Sequence, residues 1–150
     1  MTEVHFYHLE RLPLEKALPQ LLEKCLQRGW RAVVRASTPE RVEALTGQLW
    51  DYDRESFLPH GSAQDGEAAA QPIWLTHQPE NPNGAQVLFL VDGADLEAVE
   101  GYERVCDLFD GSDSDAVAAA RDRWRKAKAA GASLKYWQHG EKGWENRASG

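Results

Sequence analysis

One run of five residues constrains this chain more than any other: Val87-Leu88-Phe89-Leu90-Val91. Successive side chains of a strand point to opposite faces, so a strand without a polar position has to be covered on both sides. It therefore belongs in the middle of a sheet, and Asp92-Gly93 ends it. Residues 4–9 and 30–36 read as further strands, the second with Ala32-Val33-Val34 at its centre. Between them Leu14, Ala17, Leu18, Leu21, Leu22, Cys25 and Leu26 recur at helical spacing, with Gly29 as a natural end. Pro19 falls inside this pattern, and a kink or a later helix start is expected there. Thr38-Pro39-Glu40 then opens a second helix: Thr38 caps it, Pro39 takes the first helical position and Glu40 meets the positive end of the dipole. Val42, Leu45 and Leu49 form its apolar stripe. Strand, helix, strand, helix predicts an α/β fold: a three-layer sandwich with a central, mostly parallel sheet flanked by helices.

The second half continues this pattern with more punctuation. Residues 61–71 are a polar loop rich in Gly and Ala, 73–75 a short strand, and 78–84 a turn-rich loop. A short helix is predicted over 96–102 and a strand over 104–109. The acidic loop 110–115 caps a helix over 116–130 that stops at Gly131. Residues 134–137 read as an edge strand. The expected organisation is one domain over 1–137 and a flexible polar tail over 138–150.

Composition excludes several functions. The chain has 150 residues, 17 Lys and Arg against 24 Asp and Glu, and a net charge of −7. That balance repels nucleic acid except at a local basic patch, and the dense one is 121–128. Cys25 and Cys106 both lie in apolar runs and read as buried thiols in a reducing compartment. With no signal peptide pattern and no long apolar span, a cytoplasmic protein is expected. No phosphate loop, dinucleotide fingerprint or nucleophile elbow is present. His5 and His8 stand three apart in a strand and so point to opposite faces. The acidic loop fails the calcium-loop pattern, since Gly111 follows Asp110 directly and Arg121 stands where the closing acid belongs. No catalytic residue, metal or cofactor is expected.

Two stretches carry a different signal. Trp50 ends the second helix, and Phe57 lies beyond a polar corner, in a segment that Pro59 forces to run extended. These rings read either as core aromatics around a turn or as a shallow pocket for a partner's anchor side chain. On the last long helix, Arg121, Trp124, Arg125 and Lys128 fall at i, i+3, i+4 and i+7 and share one face. They are either a solvated face beside a core-margin Trp, or a cationic stripe that takes carboxylates while the rings hold an apolar end.

In combination these stretches resemble the chi subunit family of bacterial DNA polymerase III. The matching segments are Val4-His5-Phe6-Tyr7-His8-Leu9, Leu49-Trp50, Ser56-Phe57-Leu58-Pro59-His60, the central strand, and Tyr102-Glu103-Arg104-Val105. Ala120-Arg121-Asp122-Arg123-Trp124-Arg125 and the Leu134-Lys135-Tyr136-Trp137 close complete the series, in the family's order over 2–137. The resemblance implies a non-catalytic accessory subunit of the clamp-loader assembly. One surface would grip the acidic, phenylalanine-ended C-terminal tail of single-stranded DNA-binding protein. Another would bind the psi subunit or another clamp-loader subunit, and DNA contact would be mainly indirect. Carried over by position, the tail site would comprise Trp50, Phe57, Phe109, Arg121, Trp124, Arg125 and Lys128. Two alternatives remain: an α/β adaptor that binds single-stranded nucleic acid directly through 121–128, or a metal-dependent enzyme that uses the acidic loop.

Overall fold

A computed structural model describes residues 2–10, 12–51, 59–63, 65–94, 99, 101–140 and 143–149. Strand β1 (Glu3–Leu9) leads into helix α1 (Leu14–Gln27), then β2 (Ala32–Arg35) and α2 (Pro39–Asp51). Short strands β3 (His60–Gly61) and β4 (Ile73–Thr76) precede β5 (Val87–Leu90) and β6 (Arg104–Asp110). Helix α3 (Ser114–Ala129), β7 (Ser133–Gly140) and β8 (Gly143–Ser149) close the chain. The strands form one sheet in the order β3-β4-β2-β5-β6-β1-β7-β8. All neighbours are parallel except β7 and β8. The apolar run at Val87 thus occupies an interior position, between β2 and β6.

Helices α1 and α2 cover one face of the sheet and α3 covers the other. Period-two alternation divides the strands accordingly. Tyr7, Val34, Leu75, Phe89 and Leu108 pack with Leu18, Leu22, Val42 and Leu45. Phe6, Val33, Leu88, Leu90 and Val105 pack with Ala120 and Ala127 of α3. Alanines on α3 allow the helix to lie close to the strands.

Local signals explain most helix limits. The Thr38 hydroxyl accepts from the Arg41 amide at 3.1 Å and caps α2. The Asp113 carboxylate accepts from Asp115 and Ala116 amides at 3.0 and 3.4 Å, so α3 starts at Ser114, two residues before expectation. Pro19 neither delays nor ends α1, which starts at Leu14. Proline in the second turn forfeits only one early backbone bond, and burial of its ring offsets that loss. Gly29 has φ +78°, the left-handed conformation that ends a helix at little cost.

The C-terminal segment differs from expectation. Residues 138–140 complete β7 and 143–149 build β8, which makes β8 the sheet edge in place of 134–137. The short helix expected over 96–102 falls largely on 96–98 and 100, outside the described residues, and Tyr102 itself is not helical.

His5 is buried on the α1 face, 3% exposed, where its Nδ1 accepts from the Trp137 indole at 3.0 Å. Burial, seconded by the Arg104 guanidinium, pushes its pKa from the usual 6.5 down to about 4. The imidazole is therefore neutral, with its proton on Nε2. The unfolded chain binds a proton here near pH 6.5 while the folded chain does not until about pH 4. This contribution to stability is complete above pH 6.5 and is lost as pH falls towards 4, by about 3 kcal/mol at 1.36 kcal/mol per pKa unit. His5→Gln, which keeps an acceptor for Trp137, is expected to flatten the urea-unfolding stability over this window. An unchanged pH slope would remove His5 as its source.

Candidate functional site

A cavity of about 220 Å³ opens on the α3 face. Phe6 of β1, Phe109 of β6 and Tyr136 of β7 form its floor. Val117, Ala120, Arg121 and Trp124 of α3 form one wall, and Ala148 of β8 closes the far side. Cavities for whole small molecules run about 300–1,000 Å³, so this one suits a single side chain.

The rings form a connected set. Trp124 meets Phe6 at 5.4 Å between centroids and Tyr136 edge-on at 6.1 Å. Tyr136 meets Phe109 at 6.1 Å, and His8 packs edge-on against Phe109 at 5.3 Å. The Tyr136 hydroxyl and His8 Nδ1 are hydrogen-bonded at 2.5 Å, which fixes the Tyr136 ring in the floor. A side chain at Gly111 would collide with the His8 ring, so glycine there permits the whole stack. Burial raises the Tyr136 pKa, and Arg121 opposes this, which places a guanidinium in the field of the phenol.

Helix α3 is oriented by a buried ion pair. The Arg123 guanidinium donates two bonds to Asp107, at 2.5 and 3.1 Å, from the sheet side of the helix. Asp107 is 1% exposed, and burial pushes its carboxyl up despite the Arg123 contact. With Arg123 tied to β6, Arg121 and Trp124 are carried to the flank beside Tyr136.

Of the residues expected at a tail site, the structure brings Phe109, Arg121 and Trp124 into this cavity. Arg125 is exposed on the same helix and donates to Asp122 at 2.9 Å. Lys128 is exposed one turn further on. Trp50 lies near the end of α2, whose packing face is on the opposite side of the sheet from α3. Phe57 falls within 52–58, outside the described residues. Sequence reasoning missed Phe6, Tyr136 and the Asp107–Arg123 pair. The alternation of β1 gave a signal for Phe6, and a lone acid inside Val105-Cys106-Asp107-Leu108-Phe109 gave one for Asp107.

Two other regions bear on chemistry. In open α/β sheets, ligands sit in the crevice beyond the carboxyl ends of the strands. Here the crevice past β1 and β6, about 780 Å³, is lined by Glu10, Glu15, Asp92, Asp110, Asp113 and Asp115. A phosphate would meet those carboxylates at close range. The acids of the 110–115 loop are engaged locally: Asp110 accepts from the Ser112 amide and hydroxyl at 2.9 and 2.6 Å, which lowers its pKa, and Asp113 caps α3. Among the described residues no three His, Cys, Asp or Glu side chains gather to hold a metal ion. No helix among them is long and apolar enough to cross a membrane.

A mostly parallel α/β sandwich with a side-chain-sized aromatic cavity flanked by arginine is a binding module in form. The chain belongs to the DNA polymerase III chi subunit family: the family model described as "DNA polymerase III chi subunit, HolC" matches residues 1–135. It is 34% identical over 99 residues to "Probable DNA polymerase III subunit chi" of Rickettsia prowazekii, a match covering 66% of this chain and 60% of that protein. It is 26% identical over 129 residues to "DNA polymerase III subunit chi" of Pseudomonas aeruginosa, covering 83% of this chain and 88% of that protein.

Proposed function

We propose that this chain is a non-catalytic accessory subunit of the replicative polymerase, working within the clamp-loader assembly. Its α3-face cavity grips the acidic, phenylalanine-ended tail of single-stranded DNA-binding protein. A further surface ties it to the psi subunit or another clamp-loader subunit. One observation carries the tail reading: the aromatic cavity between Trp124, Tyr136, Phe109 and Phe6 is walled by Arg121. The terminal phenyl ring enters the cavity, and its burial contributes roughly 25 cal/mol per Å² of apolar area. The terminal carboxylate meets Arg121, a bidentate donor suited to it. Arg125 and Lys128, farther along the same face, attract the acids that precede the phenylalanine.

The test is a fluorescence titration with an acidic peptide ending in Phe. Binding in the micromolar range is expected, because ordering a free tail offsets much of the gain. Arg121→Glu should weaken it by at least about tenfold, since a charge-assisted bond worth about 1.5–3 kcal/mol is replaced by repulsion. Deleting the terminal Phe should remove binding. Equal affinity for wild type and Arg121→Glu, or indifference to that Phe, would overturn the reading.

A further inference from the structure

A second cavity, about 550 Å³, lies on the opposite side of the sheet, between α1 and the β7–β8 hairpin. Four apolar aromatic rings line it, Tyr7, Phe89, Trp137 and Trp144, with His139 beside them. Tyr7 and Trp137 are stacked within 13° of parallel at 6.3 Å, and Trp144 stands edge-on to Tyr7 at 5.0 Å. Three cations line it too: Lys24 from α1, Arg28 just past the end of α1, and Arg104 from β6. In a chain where acids outnumber bases 24 to 17, no Asp or Glu is among the described residues that line this cavity. Arg28 and Arg104 lie 3.9 and 5.4 Å from the ring centroid of the same residue, Trp30, which gathers two guanidiniums at the cavity's edge. Arg104 reaches Glu3 with Nη2 at 3.4 Å, yet its buried Nε–H bonds nothing among the described residues. An arginine cannot shed its proton, so a buried donor left without an acceptor favours an incoming anion.

We propose that this cavity is a second docking site, which takes a segment of another polypeptide presenting an apolar side chain beside carboxylates. The rings receive the apolar group, and Lys24, Arg28 and Arg104 receive the acids. A polypeptide fits better than nucleic acid. A nucleic acid strand carries a charge at every nucleotide and would run on over a surface of net charge −7, whereas a peptide concentrates its acids at the anchor. The two cavities lie on opposite faces of β1 and β7, so both can be filled at once. This site stands independently of the tail reading.

The probe is a fluorescein-labelled, C-terminally amidated peptide with the core Asp-Asp-Leu-Phe-Asp-Asp, which lacks the terminal carboxylate that Arg121 would bind. It is titrated against wild type, the double variant Lys24→Glu/Arg28→Glu, and Arg121→Glu. Both reversed positions are exposed, Lys24 in the last turn of α1 and Arg28 at its C-cap, so folding is retained and is checked by circular dichroism. Expected are a loss of at least about tenfold in the double variant, an unchanged affinity in Arg121→Glu, and weaker binding of the Asn-for-Asp peptide. The half-buried Cys25 thiol lines the cavity, so the bound probe should also slow its alkylation by iodoacetamide. No binding in the millimolar range, equal affinity for the double variant, or an oligo(dT) octamer that binds in the peptide's place and is lost on Lys24→Glu/Arg28→Glu would overturn the proposal.

Discussion

Replacing Arg123 by alanine is expected to cost about 3–5 kcal/mol of folding stability, the loss seen when one partner of a buried ion pair is removed. Asp107 is 1% exposed and receives both of its described side-chain bonds from Arg123. Without the guanidinium, the carboxylate must either stay charged in an apolar layer or take up a proton. Burial already pushes its carboxyl up with the arginine in place. Single domains are stable by about 5–15 kcal/mol, so this one change consumes a large fraction of the total. The converse substitution tests the mechanism. Asp107→Leu combined with Arg123→Leu removes both charges and should recover most of the loss, because a buried pair and a packed apolar pair differ little in free energy. Urea unfolding of the two variants decides the matter. A loss below about 1 kcal/mol for Arg123→Ala, or no recovery in the double variant, would show that the pair does not anchor the helix.

Replacing Trp124 by alanine should leave the fold and remove the tail. The side chain is half-buried at the margin of α3, so the core beneath it stays closed by Ala120 and Ala127. The cavity, by contrast, loses a wall. Trp124 is the largest ring on α3 and contacts both Phe6 and Tyr136. A buried aromatic at the centre of a contact typically costs 2 kcal/mol or more on truncation, so the Phe-ended peptide should bind roughly 30-fold more weakly or worse. Trp124→Phe, which keeps a ring, should restore part of that. Circular dichroism reports the fold and fluorescence anisotropy the affinity. Wild-type affinity in Trp124→Ala would move the tail elsewhere.

Sequence pattern located the sheet's centre and helices α1, α2 and α3, because each is written in local periodicity. Thr38 and Gly29 mark helix limits by mechanisms that act within a few residues. What it did not locate depends on pairing between distant segments. Residues 143–149 have few apolar side chains, and they form β8 because the open edge of β7 lies antiparallel beside them. The cavity floor needs Phe6, Phe109 and Tyr136 on adjacent strands in one register, which no local rule supplies. The choice among cations is of the same kind. Arg121 and Arg125 share a helix face, yet Arg121 borders the cavity while Arg125 is paired with Asp122 in solvent.

The strand order also sets a sequence of events during synthesis. Strands β2, β4 and β5 pair with one another and all lie within residues 32–90, so that wing of the sheet can close before β6 arrives to take the free edge of β5. Strand β1 cannot follow them. Its partners are β6 and β7, with Glu3 opposite Arg104 on one side and Ser133 on the other. At about 5–20 residues per second, the first strand made waits several seconds for the first of its neighbours. Throughout that interval Val4 and Phe6 have no α3 to cover them, so the nascent chain exposes apolar surface that the finished fold hides, and slowed translation between β5 and α3 lengthens that exposure.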